Sequence, residues 1–205
     1  MPMQWQRLNR DDATQVIDSV KSDENEGMFS IQTSEVKSAR LTFYKEYSLY
    51  KVTNFASLPS FTFEFLSDGT FFHYLDGTDA PIYVVNDKGA LNLDTNNVMQ
   101  YLTFYFAQVG NDEGDDIIVV TNPHDMPLLD SLDAQGYDSV FKNYKPPEIS
   151  YNEDLDSYNI ETDLYIESHM VRAKIELNTK GRVTIKDQTT NMKQVMKSPD
   201  SEQFI

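Results

Sequence analysis

Cysteine is absent from the 205-residue sequence, and its absence removes several classes of site. Disulfide scaffolds, thiolate nucleophiles, zinc ribbons and iron–sulfur clusters all depend on its thiol. Glycine is scarce, with eight residues, and neither G-x-x-x-x-G-K-[ST] nor G-x-G-x-x-G occurs. The patterns H-E-x-x-H and G-x-S-x-G are also missing. We therefore predict no cofactor and none of the catalytic motifs that these patterns mark.

Long apolar runs are missing too. No apolar stretch follows the positive charge near the N-terminus, as a secretory signal requires. The longest strongly apolar region, 98–109, contains three polar residues and is much shorter than the roughly 20 residues that span a bilayer. The sequence therefore predicts a soluble, cytoplasmic protein without a membrane partner.

Positive charge is scarce in the middle of the chain. The net charge of −16 divides into −1 over 1–51, −18 over 52–171 and +3 over 172–205. A polyanionic surface repels nucleic-acid phosphates and anionic lipids, and it attracts basic partners. We expect no nucleic-acid binding by the surface as a whole. The expected partner is a basic protein or a second copy of the chain, although an acidic surface also serves solubility alone.

Apolar side chains make up 40% of the sequence, which is enough for a core. The pattern predicts an α+β fold, in which an antiparallel sheet of several β-hairpins packs around one largely buried helix. A stripe of four apolar residues predicts a short N-terminal helix within 11–21: Ala13, Val16, Ile17 and Val20. A polar break follows this helix. We therefore expect an N-terminal helical arm at 1–38 and a single α+β domain at 39–205.

The first hairpin is predicted around a two-residue turn at 68–69, because Asp-Gly is a strong turn signal. This register gathers five aromatic side chains on one face, Phe61, Phe63, Phe65, Phe72 and Tyr74. On the other face it sets His73 directly opposite Glu64. That pair suits either a general base with its orienting acid or an ordinary surface contact.

Two further turns share the pattern Asn-x-Lys-Gly, at 86–89 and 178–181. This pattern suits a type I turn followed by a glycine in the left-handed conformation. The second hairpin then gathers Tyr83, Val85, Leu91 and Leu93, and the third gathers Ile175, Leu177, Val183 and Ile185. In all three hairpins the register set by the turn also collects the apolar residues, which is the main support for the predicted fold.

A helix that is apolar around most of its circumference is predicted at 98–109, with Asp94 or Thr95 as its cap. Residues 117–120 have the pattern of a short interior strand. Prolines then mark a loop-rich stretch that extends to about Asp156.

The candidate catalytic residues are His169 and His124. The apolar alternation changes parity between 164–166 and 171–177, which predicts a bulge beside His169, and bulges gather near sites. His124 precedes an aspartate in a predicted loop. We predict no metal site; the acids that would form one are Asp112, Glu113, Asp115 and Asp116, which lack the EF-hand pattern.

Basic residues gather on the third hairpin. Its register sets Lys174 opposite Lys186 and Arg172 opposite Gln188, and Arg182 follows the turn. Facing lysines repel each other, so this charge needs an acidic partner. That partner is either the protein's own acidic surface or a group on another molecule. The predicted binding residues are Arg172, Lys174, Arg182 and Lys186.

The sequence therefore favours a non-catalytic soluble binding or regulatory module, whose acidic surface suits a basic partner or self-association. The alternative is a small hydrolase or metal-assisted enzyme that uses a histidine with nearby carboxylates. A third hypothesis is a small-molecule binder lined by aromatic side chains, which requires a pocket.

Overall fold

The computed structural model describes residues 3–21, 27–110, 114, 116–127 and 129–192, and in these ranges the fold is α+β. These residues form two antiparallel sheets of five strands each and four α-helices. The strands are β1 (Gln6–Arg7), β2 (Ser34–Arg40), β3 (Ser48–Asn54), β4 (Phe61–Ser67), β5 (Phe72–Tyr74), β6 (Ile117–Val120), β7 (Glu148–Asn152), β8 (Ser157–Ile166), β9 (His169–Asn178) and β10 (Val183–Met192). The helices are α1 (Arg10–Val20), α2 (Ala80–Val85), α3 (Val98–Gln108) and α4 (Ala134–Asn143).

The chain divides into two compact units, Met1–Tyr101 and Leu102–Ile205. The first contains a sheet of strand order β1-β2-β3-β4-β5, and the second contains a sheet of order β10-β9-β8-β6 in which β7 also pairs with β8. This division differs from the expected arm and single domain. Among the described residues, no helix has the length and apolar character needed to cross a bilayer.

The predicted N-terminal helix is confirmed as α1. The Asn9 side chain caps it by accepting hydrogen bonds from the backbone N–H groups of Asp11 and Asp12, both at 3.0 Å. Its four predicted apolar residues are all buried, in one cluster with Phe29, Val36, Val52 and Phe65. The segment 1–38 is thus packed into the first unit, and β2 continues through the expected boundary at residue 38.

The packing of α1 makes Ile17 a test of this arrangement, because its side chain is only 2% exposed. We expect Ile17→Ala to lower the free energy of unfolding of the first unit by about 2–5 kcal/mol, since the substitution leaves a cavity. Gln15→Ala, on the exposed side of the same helix, should change it by no more than about 0.5 kcal/mol. Urea unfolding followed by the fluorescence of Trp5, the single tryptophan, measures both. Equal effects would show that α1 contributes little to the core.

The first hairpin forms with a wider loop than predicted. Ser67 pairs with Phe72 and Phe65 with Tyr74, so residues 68–71 form a four-residue loop. The Asp68 carboxylate stabilises this loop by accepting from the N–H groups of Thr70 (2.9 Å) and Phe71 (3.0 Å). The shift is two residues, which preserves the faces of both strands.

The aromatic side chains of this hairpin therefore share one face, as predicted. Phe29 packs on it, with ring centroids 5.8 Å from Phe61 and 5.2 Å from Phe63. Phe65 is buried, whereas Tyr74 is 46% exposed. The face is thus a partly covered aromatic layer rather than a fully buried one.

The predicted second hairpin is wrong, because its first strand is the helix α2 and its turn is a helical turn at Asn86–Ala90. Pro81 suits the first turn of α2, and Ile82 and Val85 are buried at helical spacing. Gly89, with φ of 77°, occupies the left-handed conformation at the end of this turn. A glycine after a polar run is typical of helix ends as well as of hairpin turns. The pattern at 86–89 therefore could not distinguish a helix end from a hairpin turn.

The predicted apolar helix is confirmed as α3. Asp94 stabilises the turn that leads into it, because its carboxylate accepts from the N–H groups of Asn96 (2.7 Å) and Asn97 (3.0 Å). Six of its aromatic and aliphatic residues are at most 7% exposed: Val98, Tyr101, Leu102, Phe104, Tyr105 and Phe106.

The loop-rich stretch of the second unit contains a helix that the sequence interpretation missed. α4 is capped by Asp133, whose carboxylate accepts from the Gly136 N–H at 2.7 Å. Its Val140 is buried in a cluster with Val120, Met126, Leu129, Tyr165 and Met170. The strand β6 is confirmed at its predicted position, where it pairs with β8 at one side of the sheet.

Candidate functional site

The third hairpin forms at the predicted turn and begins in the predicted register. Gly181 has a φ of 79°, and its N–H donates to the Asn178 carbonyl at 2.9 Å. Ile175 lies opposite Ile185, as expected. A register shift between Ile185 and Asp187 then changes the pairing, so that Lys174 faces Asp187 instead of Lys186. The predicted contact between two lysines is therefore wrong.

The two lysines that the sequence placed opposite each other are paired with acids of the same unit. Lys186 Nζ lies 3.2 Å from Glu176 Oε1, and Lys174 Nζ lies 4.0 Å from Glu161 Oε1. Such exposed pairs contribute about 0–1 kcal/mol each, yet they neutralise the local charge. The predicted role of Lys174, Lys186 and Arg182 in binding a partner stays a prediction. The bulge at Lys186 removes the repulsion that motivated it.

Arg172, another predicted binding residue, has an internal role. Its Nη1 atom is 3.5 Å from the Oδ1 atom of Asp163, which is fully buried and lies directly opposite on β8. Its Nη1 also donates to the Lys145 carbonyl at 2.9 Å, and Nη2 to the Pro146 carbonyl at 3.2 Å. The Lys145 N–H donates back to Asp163 Oδ2 at 2.9 Å. This network ties residues 145–146, just before β7, to the centre of the sheet.

Removing the acid from this network leaves the largely buried Arg172 with only one carboxylate nearby, the exposed Glu148 at 3.8 Å. We therefore expect Asp163→Ala to destabilise the second unit by about 3–5 kcal/mol. Asp138→Ala, an exposed acid on α4, should cost no more than about 0.5 kcal/mol. Amide hydrogen exchange in β8 and β9 measures both changes.

The double variant Asp163→Leu with Arg172→Met tests the cause, because it removes the acid and the cation together. It should be less destabilised than Asp163→Ala. A double variant at least as unstable as the single one would contradict an ionic origin of the effect.

His169 lies at a chain reversal and not at a bulge. β8 and β9 are joined by a two-residue turn, with φ of 48° at Glu167 and 67° at Ser168, so the strands form a hairpin. Positive φ at both residues is the geometry of a type I′ turn. Asn, Asp and Gly are the residues that usually mark such a turn, so glutamate and serine gave no sign of it in the sequence. The reversal accounts for the parity change that predicted a bulge. His169 Nδ1 is 2.8 Å from the Glu167 carbonyl.

His124 lies in a short 3₁₀ helix, Pro123–Asp125, capped by Asn122. Its ring packs edge-on against Phe141, with centroids 5.3 Å apart. Within the part of the chain that the structure describes, no carboxylate makes an ion pair with either candidate catalytic histidine.

Of the four candidate metal ligands, Asp112, Glu113 and Asp115 lie outside the described residues, and Asp116 is exposed. Among the described side chains, no three His, Asp or Glu groups converge in a way that would hold a metal ion.

The predicted pairing of His73 with Glu64 is wrong, because the wider loop sets His73 opposite Leu66. Glu64 instead pairs with Lys51 at 2.7 Å. The ammonium of Lys88 lies 3.0 Å from His73 Nε2, so the ring accepts a hydrogen bond from a cation. Partial burial, followed by the charge of Lys88, lowers the pKa of His73 below 6.5.

A lowered pKa means that the unfolded chain binds a proton at His73 before the folded chain does. Stability should therefore fall as the pH is lowered from about 6.5 towards the folded-state pKa. We expect Lys88→Met to raise the pKa of His73 part of the way to 6.5, because burial persists. Lys21→Met, which removes a cation that pairs with Asp18, is the control. A pKa of His73 unchanged by Lys88→Met in an NMR titration would contradict the contact.

The outer edge of β7 is one surface that is open for a partner. This strand pairs with β8 along one edge, from Glu148–Glu161 to Asn152–Ser157, and no described strand pairs with its other edge. The β7–β8 loop, 153–156, carries exposed carboxylates directly after the end of β7. Leu155 is 61% exposed and Tyr151 is 43% exposed. We call the free edge of β7 with Tyr151, Glu153, Asp154 and Leu155 the β7 edge surface.

Local hydrogen bonds hold the loop of this surface in shape. The Asn152 side chain accepts from the N–H groups of Asp154 (3.0 Å) and Leu155 (3.2 Å). Asp156 accepts from the Tyr151 hydroxyl and, at 2.6 Å, from the Thr179 hydroxyl. The bond to Asp156 raises the pKa of Tyr151 to about 12, so its phenol stays neutral. The loop therefore presents a neutral aromatic ring next to carboxylates.

This surface was not predicted from the sequence, because Pro146 and Pro147 before β7 indicated that the stretch up to about Asp156 is a loop. A signal was present: Ile149 and Tyr151 alternate before the polar run at 152–156, and Tyr158 and Ile160 alternate after it. In the structure these residues are cross-strand partners, with the rings of Tyr151 and Tyr158 4.9 Å apart.

No protein-family model, curated protein or solved structure matches this chain. Its function therefore has to be inferred from its own residues.

Proposed function

We propose that this chain is a non-catalytic binding module whose β7 edge surface takes up a basic, extended segment of a partner protein. The observation that carries the proposal is a strand edge without a described partner, beside exposed apolar and acidic side chains.

An open strand edge supports binding by strand addition. The main-chain groups of an extended segment pair with those of the edge, and the neighbouring side chains select the sequence. On the β7 edge surface, a bound segment would also cover the exposed side chains of Tyr151 and Leu155. Burial of this apolar surface adds binding free energy to that of the main-chain hydrogen bonds.

Charge selects the kind of segment. Glu153 and Asp154 are exposed and make no ion pair with a described residue. Residues 102–205 carry a net charge of −10. Carboxylates beside an edge repel acidic strands, including a second copy of this chain, and they attract lysine and arginine. A basic partner therefore fits better than self-association.

The basic hairpin supports the same choice. In the self-associating form of the hypothesis, Arg172, Lys174 and Lys186 of one copy meet the acidic surface of another. Each of these residues already lies within 4.0 Å of a carboxylate of its own unit. Their charge is therefore less available to a second molecule than the acidic charge beside β7.

The proposal is tested with an eight-residue peptide that alternates lysine and valine, by calorimetry and amide chemical shifts. We expect saturable shifts at 148–155. The double variant Glu153→Gln with Asp154→Asn should weaken binding about two- to thirtyfold, since two exposed charge pairs contribute about 0.2–1 kcal/mol each. Asp130→Asn with Asp138→Asn removes the same charge elsewhere in the unit and should have a smaller effect, because salt screens distant charges.

Two peptides and one measurement complete the test. A peptide with glutamate for lysine should not bind, and a central proline should weaken binding because it removes a backbone donor. Equal binding of the proline peptide, or equal loss in both double variants, would overturn the proposal. A stable dimer in sedimentation that depends on Tyr151 and Leu155 would instead assign the surface to a second copy.

A further inference from the structure

The first unit contains an open groove of about 590 Å³, within the range of small-molecule sites. Six residues line it, Arg40, Leu41, Thr42, Tyr44, Lys45 and Asn92. Two of these are cations, and none is a carboxylate. This composition is unusual for a chain with a net charge of −16.

The walls of the groove are held together by main-chain contacts. The Lys45 N–H donates to the Ala90 carbonyl at 3.4 Å, and the Asn92 N–H donates to the Phe43 carbonyl at 2.9 Å. Between them, Tyr44 and Leu91 form a β-bridge. The segments that carry the lining residues are thus fixed relative to each other, which lowers the entropic cost of binding a ligand.

Tyr44 is held by a buried polar contact. Its hydroxyl donates to Asn86 Oδ1 at 2.6 Å, and Asn86 Nδ2 donates to the Tyr101 hydroxyl at 2.9 Å. Burial raises the pKa of Tyr44 well above its ordinary value, so the ring stays neutral. Tyr44 and Leu41 line the groove and are each 4% exposed, so they offer it a small but fixed apolar surface.

The two cations make no ion pair or hydrogen bond through their side chains with any described residue. A smaller groove of about 370 Å³ provides the contrast, because its cation, Arg7, lies 3.1 Å from Glu35 within the same lining. The cation of the smaller groove is thus paired with an acid, whereas the two cations of the larger groove make no ion pair with a described residue. Thr42 is less available, since its hydroxyl bonds to Gln100.

We propose that this groove binds a small organic anion, whose carboxylate or phosphate contacts Arg40 and Lys45 and whose apolar part lies against Leu41 and Tyr44. An arginine guanidinium pairs with such groups through two parallel hydrogen bonds, and a lysine ammonium adds a point charge. The site concerns the first unit alone and is independent of the β7 edge surface.

Three probes of matched shape test it: phenyl phosphate, benzoate and the neutral benzyl alcohol. We expect saturable amide shifts at 41–45 and 90–92 with the two anions and much weaker binding of the alcohol. Comparison of phosphate with carboxylate identifies the preferred group. Arg40→Gln with Lys45→Gln should lower the affinity for the preferred anion at least about tenfold, because charged hydrogen bonds are lost.

The control is Arg10→Gln, which removes an exposed cation of the same unit that does not line the groove. It should leave the affinity within about twofold, because a distant surface charge is screened by salt. Unchanged spectra at 41–45 with both anions would overturn the proposal, as would equal losses in the control and the double variant. Fluorescence of Trp5 verifies that each variant is folded.

Discussion

A buried carboxylate that must be paired organises the second unit. Asp163 is fully buried, and its two oxygens meet the Arg172 guanidinium and the Lys145 N–H. Because an unpaired charge inside a protein is strongly unfavourable, this contact favours one register of β8 against β9. It also holds the chain that leads into β7. Arg172 is thereby largely withdrawn from the surface, and it also lies 3.8 Å from Glu148 at the start of β7. Glu153 and Asp154, which follow β7, make no ion pair with a described residue.

The first unit depends on a neutral polar contact instead. Asn86 is buried between the hydroxyls of Tyr44 and Tyr101, and an amide is satisfied there without any charge. The contact fixes the segment beside the groove, where Arg40 and Lys45 make no ion pair with a described residue. In both units a buried polar contact forms within the unit, and the charges that make no ion pair with a described residue mark the surfaces for which we propose a ligand.

The sequence interpretation succeeded where a signal was local and unambiguous. The stripe of α1, the apolar circumference of α3 and the turn at 178–181 were all predicted and are confirmed. It failed where one pattern serves two structures. The glycine at 89 ends a helical turn rather than a hairpin, and the turn at Glu167 and Ser168 has left-handed residues of types that rarely adopt that conformation. The candidate surface was missed because the prolines before β7 concealed its alternation.

The sequence by itself determined the α+β class, the apolar faces of α1 and α3, and the large acidic excess, because periodicity and net charge are properties of the chain alone. Only the tertiary structure decided which charges are compensated. Cross-strand neighbours depend on bulges and loop lengths, and one bulge at Lys186 was enough to separate two lysines that sequence spacing had placed together. Whether a charged side chain is paired depends on distances of a few ångströms to residues that are distant in the chain. The spacing of residues along the sequence does not determine these distances.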